Sequence, residues 1–336
     1  MIVPDLYTGN IIKSRVRLAR NLEGYPFRVN DPVAAREIVK TVNRALVKCG
    51  TFNLYSMKTL NDLNAEALVE RHLISPALKK NKECGAALIS SDETVSVMVC
   101  EEDVLREQCF MKGFRLEEAY KVLNRIDDEL EKHLDVAFSE RFGYLTACTT
   151  NVGTGMRASV MMFLPGLTAG GKISMLDEEV KSYGLTIRGV YGEGSAAEGC
   201  VYQISNESTL GLSEYELIKS VENAVERICL TEREESETMF GGKNELKTID
   251  ASRKAYGILT NAFLLSYGDF LKYIAQVKLG AMLGMINIAD VSEIDELIVS
   301  VRPANLCVSY GKKLSATDRD LFRAEMVSKK LTKLVE

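Results

Sequence analysis

Paired arginines near the start of the sequence could bind a chain of phosphates. Arg15 and Arg17 are two residues apart, and the residues that follow them, Val16 and Leu18, are apolar. On a β-strand this spacing directs both arginines to the same face. Two guanidinium groups on one face can hold a polyphosphate through paired, charge-assisted hydrogen bonds. The pattern therefore predicts an anion-binding strand, with a solvated basic strand as the alternative.

Three later segments again combine arginine with acidic or glycine-rich sequence. They are CEEDVLR at 100–106, CTTNVGTGMRAS at 148–159 and RGVYGE at 188–193. The net charge of the chain is −5, so the arginines indicate a local anion site on an acidic protein rather than a nucleic-acid surface. Several cations beside carboxylates suit phosphoryl transfer, which depends on positioning and electrostatic stabilisation.

Together with KSRVR at 13–17, these segments resemble the SxRxR, NEEDHxR, CPTNxGTGxRAS and RGxxGE motifs of the phosphagen (ATP:guanidino) kinase family. They occur in the family's order, and the resemblance runs from about residue 11 to residue 230. It implies the phosphorylation of a guanidinium group by ATP with Mg²⁺. Four positions depart from the motifs, namely Lys13, Cys100, Val104 and Thr149, and none of them is an inferred carboxylate or arginine.

The resemblance implies a role for each motif residue. Glu102 and Glu193 would orient and deprotonate the substrate guanidinium, with Cys148 beside it as a thiolate. ATP would be bound by all four motifs and by His72; the residues are Lys13, Ser14, Arg15, Val16, Arg17, His72, Arg106, Arg157, Ala158, Ser159, Val160, Met161, Arg188, Gly189, Val190, Tyr191, Gly192 and Glu193. Mg²⁺ would be held largely by phosphate oxygens and water, so no protein metal site is predicted.

Two carboxylates are expected because a guanidinium group is a poor nucleophile. Its pKa lies above about 12 and its charge is delocalised, so it must be oriented and must lose a proton as the N–P bond forms. Carboxylates match its planar set of N–H donors and can accept that proton.

Two features of the sequence resemble those of the family branch that phosphorylates proteins. Small-molecule guanidino kinases carry a helical substrate domain before the SxRxR strand, where this chain has only a short segment. The RDxxRA motif of the phosphoarginine pocket is matched by Arg319, Asp320, Leu321, Phe322, Arg323 and Ala324. The resemblance implies protein substrates with exposed arginines, a homodimer, an McsA-like activator and a ClpC-type protease that degrades the marked proteins.

Two other functions stay open as alternatives. One is a small-molecule guanidino kinase, and the other is a catalytically inactive adaptor that binds phosphoarginine. A P-loop is a poor match, because GLTAGGK at 166–172 is followed by Ile173 where Ser or Thr would contact Mg²⁺. The HRD and DFG motifs of protein kinases are absent from the sequence.

Composition indicates a cytoplasmic globular protein. Apolar residues make up 46% and charged residues 26% of the 336 positions, and the sequence has neither a membrane-length apolar run nor a secretion signal. The eight cysteines form no CxxC pair and do not cluster with the two histidines, so a zinc site is not expected.

The elements that position these residues indicate an α+β fold. Leu116–Leu134 has the periodicity of an amphipathic helix, and Val95–Val99 alternates like a half-buried strand. Later apolar runs are separated by Gly-containing loops that we expect to be too short for crossover helices, which favours an antiparallel sheet flanked by helices. Ser213 and Glu216 form a capping-box pattern at the start of a helix.

We predict two domains. The charged run Glu232–Glu237 is interpreted as a polar break between a catalytic domain at 1–235 and a helical C-terminal domain at 236–336. The sequence beyond the break has helical periodicity throughout. By the resemblance, the second domain serves dimerisation and phosphoarginine binding.

Overall fold

Antiparallel strands form the centre of the molecule. The computed structural model describes residues 9–190 and 198–335. The strands are β1 (Ile11–Arg20), β2 (Phe52–Ser56), β3 (Ala86–Ser90), β4 (Val95–Val99), β5 (Leu105–Lys112), β6 (Phe138–Ser139), β7 (Gly143–Tyr144), β8 (Met156–Phe163), β9 (Leu185–Gly189) and β10 (Val201–Asn206). Eight of them form one sheet in the order β2-β3-β4-β5-β1-β8-β10-β9, and β6 pairs with β7. Every neighbouring pair is antiparallel, as predicted.

Helices lie on both faces of this sheet and beyond it. They are α1 (Pro32–Leu46), α2 (Asp62–Glu70), α3 (Pro76–Lys80), α4 (Leu116–Glu131), α5 (Pro165–Ala169), α6 (Ile173–Lys181), α7 (Glu214–Phe240), α8 (Glu245–Asn261), α9 (Tyr267–Met282), α10 (Ser292–Ser300), α11 (Pro303–Ser309) and α12 (Ala316–Leu334). The predicted capping box begins α7, where Ser213 and Glu216 cap each other's backbone N–H groups. No helix among the described residues is both long and apolar enough to cross a membrane.

Alternation along β1 separates a core face from an open face. Val16 and Leu18 are buried in the main apolar cluster, which joins the sheet to α1, α4 and α7. Arg15 and Arg17 point to the other face. On that face α2 and α3 cover β3 and β4 through a second apolar cluster. The helices after α7 form a separate apolar core. The arginines therefore lie on the part of the sheet between these two covering layers.

The predicted fold class is confirmed, but three local predictions were wrong. Val95–Val99 is buried at all five positions rather than half-buried, because both faces of β4 are covered. The connection between β8 and β9 contains α5 and α6 rather than a short loop. Glu232–Glu237 is not a break but lies inside α7, where the carboxylate of Glu232 accepts hydrogen bonds from the first N–H groups of α5. The domain boundary at residue 235 stays a prediction.

Candidate functional site

The open face of the sheet gathers arginines from four strands, β5, β1, β8 and β9. In the register of β1 and β8, Arg17 lies opposite Arg157, and Arg15 lies opposite Ser159. Directly opposed residues of an antiparallel pair share a face. The motif cations on this face, the arginine face, are Lys13, Arg15, Arg17, Arg106, Arg157 and Arg188. The structure thus brings together side chains that are up to 175 residues apart in the sequence, from Lys13 to Arg188.

Neutral oxygens, rather than carboxylates, bind the central arginines. Arg15 donates from Nη2 to the side-chain oxygen of Gln203 at 2.7 Å, and Arg157 donates from Nη2 to Ser205 Oγ at 2.9 Å. Arg17 Nε is buried and makes no hydrogen bond to any described residue. A buried donor without an acceptor is costly, so this position favours an anion.

Crowding of like charges makes the same face electropositive. Burial and the neighbouring Arg157 and Arg106 lower the pKa of Arg15 to about 10. The pKa of Arg17 is lowered well below its usual range by burial and then by Arg15, and that of Arg157 is lowered by burial and then by Arg188. A polyphosphate bound here would relieve the repulsion and provide the missing acceptors.

Carboxylates adjoin one end of the arginine face. Arg106 contacts Glu101 Oε2 at 2.7 Å through Nη1 and Glu102 Oε2 at 3.1 Å through Nη2. Glu101 is buried and accepts a hydrogen bond from Ser75 Oγ, whereas Glu102 is exposed. Glu102 is therefore the carboxylate of this pair that an incoming group could reach.

Asp103 fastens the acidic loop to the segment that leads into the cysteine loop. Its Oδ1 accepts hydrogen bonds from Asn21 Nδ2 and from the backbone N–H of Ala147, both at 2.7 Å. Cys148, half-buried, follows directly, with Sγ 3.1 Å from Thr150 Oγ1. This contact brings the acidic loop and the start of the cysteine loop together, although Glu102 and Cys148 are 46 residues apart in the sequence; their predicted catalytic roles stay predictions.

The cysteine loop is anchored by a close backbone approach at Gly153. This residue has φ of +117°, and a Cβ there would lie 2.7 Å from the carbonyl oxygen of Thr209. Thr209 Oγ1 in turn donates to the carbonyl of Val152 at 2.7 Å. A side chain at position 153 would push this loop away from the backbone at Thr209, so glycine is required.

His72 and Lys13 lie at the other end of the arginine face. They line a cavity of about 580 Å³ together with Phe110, Met161 and residues of α9, α10 and α11. Lys13 Nζ is 5.0 Å from the centroid of the Phe110 ring. Burial and Arg15 lower the pKa of Lys13 to about 7, and burial with Lys13 lowers the pKa of His72 well below 6.5.

Alternate residues of the predicted nucleotide-binding strands point away from this face. Ser14 is fully buried and donates from Oγ to the carbonyl of Gly113. Val16, Ala158 and Val160 are fully buried in the main apolar cluster. Their side chains are not brought to the arginine face, because side chains of a strand alternate between the two faces.

Some predicted residues cannot be placed with the site. Gly189 and Val190 follow Arg188 at the end of β9. Tyr191, Gly192 and the predicted catalytic Glu193 lie outside the described residues. Their predicted roles stay predictions.

The RDLFRA segment lies on α12, away from the arginine face. Arg323 is buried and donates to the carbonyls of Val301 and Leu265 and to Asp320 Oδ1 at 3.1, 2.8 and 2.7 Å. Arg319 is half-buried, and its Nη1 donates to the carbonyl of Leu314. Phe322 stacks on Tyr310, whereas Leu321 is half-buried and Ala324 is part of the helical core. Arg323 thus has a structural role in packing, and phosphoarginine binding by this segment stays a prediction.

Sequence reasoning missed the polar residues that support the arginines. They are Gln203 and Ser205, which bind Arg15 and Arg157, and Glu101, which contacts Arg106 and is itself bound by Ser75. Gln203 and Ser205 alternate on β10, a pattern that marks them as sharing one face, but only the strand register shows that this is the face of Arg15 and Arg157.

Comparison with known proteins agrees with this geometry. Residues 34–235 match the model of the ATP:guanido phosphotransferase C-terminal catalytic domain, and residues 245–336 match that of the protein-arginine kinase McsB C-terminal domain. The protein-arginine kinase of Caldanaerobacter subterraneus subsp. tengcongensis is 42% identical over 96% of this chain and 97% of its own length. That of Halothermothrix orenii is 41% identical over 96% and 93%.

Solved structures show the same fold. The duplicated taurocyamine kinase of Schistosoma mansoni with bound transition-state analogue components has a TM-score of 0.58 at 28% identity, covering 68% of this chain and 33% of that one. A lombricine kinase has a TM-score of 0.59 at 24% identity, covering 72% and 74%. With the two domain matches and the relatives, these findings show that the chain belongs to the protein-arginine kinases of the ATP:guanido phosphotransferase family.

Proposed function

We propose that this chain transfers the γ-phosphoryl group of ATP to arginine side chains of proteins, on the open face of the sheet. The observation that carries the proposal is the row of arginines with neutral partners, at whose centre the buried Nε of Arg17 has no acceptor among the described residues. The names of the relatives and the C-terminal match favour a protein substrate over a small guanidino compound.

In this proposal the nucleotide lies along β1. Its phosphates contact Arg15, Arg17 and Arg157, which are neighbours across the register of β1 and β8. The sugar and base extend toward Lys13 and His72, into the cavity of about 580 Å³. Arginines fixed by Gln203 and Ser205 need little rearrangement when charge builds up on the transferring group, which is how preorganised sites lower barriers.

The acceptor guanidinium enters at the opposite end, beside Glu102 and Cys148. A guanidinium nitrogen attacks the γ-phosphorus while the bond between that phosphorus and the bridging oxygen breaks, leaving ADP. The proton lost by the nitrogen passes to a carboxylate, for which Glu102 is the exposed candidate in this loop and Glu193 the second. The products are phosphoarginine, ADP and the released proton.

Mg²⁺ would supply further neutralisation of the phosphates. Residues 9–190 and 198–335 contain no group of three or more His, Cys, Asp or Glu side chains that could hold a metal ion alone. In this proposal the ion is held mainly by phosphate oxygens and water.

The chain's biological role is proposed from the family. Phosphorylation replaces the positive charge of an arginine with a negative phosphate-bearing group, a change that a partner protein could recognise. We propose that the mark sends proteins to a ClpC-type protease, that an McsA-like activator assists, and that the enzyme is a cytoplasmic homodimer. The match to the McsB C-terminal domain supports the kinase activity that this role requires.

Binding of an ATP analogue to Arg17→Met tests the arginine face. Loss of one charge-assisted contact should weaken binding about tenfold or more, because hydrogen bonds to charged groups contribute roughly 1.5–3 kcal/mol. Arg125→Met is the matched control, since Arg125 is exposed on α4 on the other side of the sheet. Affinity within twofold of the parent for Arg17→Met would contradict the proposal. If the parent binds the ATP analogue tightly but transfers no phosphate from ATP to protein, the adaptor alternative is supported instead.

A further inference from the structure

The end of α2 is fastened to the helical C-terminal region by one carboxylate. Glu70 accepts the backbone N–H groups of Ala304 and Asn305, each at 2.8 Å, with its two different oxygens. Arg302, which is buried, donates from Nη1 to the backbone carbonyl of Glu70 at 2.8 Å. Three hydrogen bonds therefore connect the last residue of α2 with the first turn of α11.

Apolar packing reinforces the same connection. Leu63, on α2, packs against a small cluster formed by Leu306, Cys307 and Leu314. Glu70 and Leu63 are seven residues apart, two turns of one helix, so both lie on the side of α2 that faces α11. The end of α2 is thus held by the helical region and not only by the sheet.

His72 follows two residues after this contact, in a backbone conformation that the helix end imposes. Its φ is +62°, a left-handed conformation that is unfavourable for a residue with a Cβ. The N–H of His72 donates to the carbonyl of Val69 and that of Leu73 to the carbonyl of Leu68, each at 2.9 Å. This is a Schellman motif with histidine at the position that usually holds glycine. The helix end therefore fixes where the imidazole lies.

The sheet holds His72 from the other side. Gln108 Nε2 donates to the carbonyls of His72 and Leu73 at 2.9 and 3.0 Å. Gln108 lies opposite Arg17 in the register of β1 and β5. A histidine in a strained conformation is thus secured between the arginine face and a helix end, and such strain is typical of functional positions.

We propose that Glu70 is a positioning residue for nucleotide binding, which places His72 by fastening the end of α2 to the start of α11. The inference rests on the proposed function, in which His72 contacts the nucleotide. It adds that the helical C-terminal region contributes to the nucleotide site without contacting the phosphates. Val301, next to Arg302, accepts the hydrogen bond from Arg323, so the contact continues to α12.

Glu70→Gln weakens the contact with little change of shape. One backbone N–H would then face the amide group of the glutamine, a donor, instead of a carboxylate oxygen. We expect the KM for ATP to rise about fivefold, less than the full loss of a hydrogen bond to a charged group would give, because Glu70→Gln keeps the other hydrogen bonds of this contact. The kcat should stay within about twofold, because no group that contacts the reacting atoms is altered. Glu66→Gln, one turn earlier on α2 and paired with Lys79 at the surface, is the matched control.

A double-mutant cycle with His72→Ala separates positioning from general stability. If Glu70 acts through His72, Glu70→Gln will raise the KM for ATP in the parent but not further in His72→Ala. Equal effects in both backgrounds, or an unchanged KM in Glu70→Gln with the melting temperature retained, would overturn the inference. Arg15→Met is measured alongside. An unchanged KM for ATP in Arg15→Met would refute the proposed nucleotide site itself. If Arg15→Met raises the KM but the effects of Glu70→Gln and His72→Ala are additive, only the inference about Glu70 is refuted.

Discussion

Binding of ATP should take up a proton at Lys13. Burial and Arg15 lower the pKa of this lysine to about 7, so at pH 8 roughly one-tenth of it is protonated in the free enzyme. Phosphates bound at the neighbouring Arg15 supply opposite charge and raise the pKa of Lys13 again. Lys13 then becomes almost fully protonated, and binding takes up roughly 0.9 proton at pH 8. Arg15, with a pKa of about 10, remains charged throughout and does not contribute.

The direction of the pH dependence follows from this uptake. Below pH 7 Lys13 is protonated in both the free and the bound enzyme, so its contribution to affinity is complete. Above pH 7 the free enzyme loses the proton, and binding must restore it. The affinity for ATP should therefore fall as the pH rises from 7 to 9, by up to about tenfold per pH unit.

Calorimetry in buffers of different ionisation enthalpy measures the proton uptake directly. At pH 8 the parent and the surface control Lys58→Met should take up roughly 0.9 proton on binding an ATP analogue, and Lys13→Met close to none. Lys58 is exposed, pairs with Glu83 and follows β2, an edge strand that three strands separate from β1. An uptake below about 0.2 proton in the parent, or the same uptake in Lys13→Met, would refute the reasoning.

Three further predictions concern other parts of the chain. Cys148→Ala should slow phosphoarginine formation about tenfold or more with an unchanged melting temperature, and full activity would remove the thiol from the mechanism. Arg20→Met should lower the free energy of unfolding by about 3–5 kcal/mol in urea, because Asp127, 2.6 Å away and buried, would lose its ion pair; a loss below 1 kcal/mol would contradict this. The double variant Arg319→Ala with Asp320→Ala should bind free phosphoarginine more weakly by calorimetry while its affinity for ATP stays unchanged, and equal phosphoarginine binding would leave the segment a structural one.

Much of the arginine face could be predicted because strands alternate. The two-residue spacing of Arg15 and Arg17 already places both on one face, whatever the neighbouring strands are. The same periodicity predicts that Val16 belongs to the core, which the motif resemblance obscured by including it among the nucleotide-binding residues. Pairing of Arg17 with Arg157 could not be predicted, since strand order and register depend on contacts distant in the sequence.

A buried charge accounts for the wrong prediction at Glu232–Glu237. The run Glu232–Glu237 has the composition of an exposed break, but Glu232 is buried because it binds the N–H groups at the start of α5. Helix α11 lies in a region whose helical character was predicted, but with seven residues it is too short for periodicity to define its bounds. The contact of Glu70 with α11 could not be predicted for these two reasons together. Glutamate usually lies at the surface, and the N–H groups that bind its carboxylate belong to a helix whose start the sequence does not define.

The formation of phosphoarginine on protein tests the central claim most directly. An unfolded protein rich in arginine is incubated with ATP, Mg²⁺ and either the parent or Glu102→Gln, and the product is analysed by mass spectrometry under conditions that preserve the N–P bond. We expect phosphoarginine with the parent, and at least about a hundredfold less with Glu102→Gln although the variant still binds ATP, because the amide cannot accept the proton. ATP consumption by the parent without phosphoarginine on the protein, or parent-like yields from Glu102→Gln, would contradict the account.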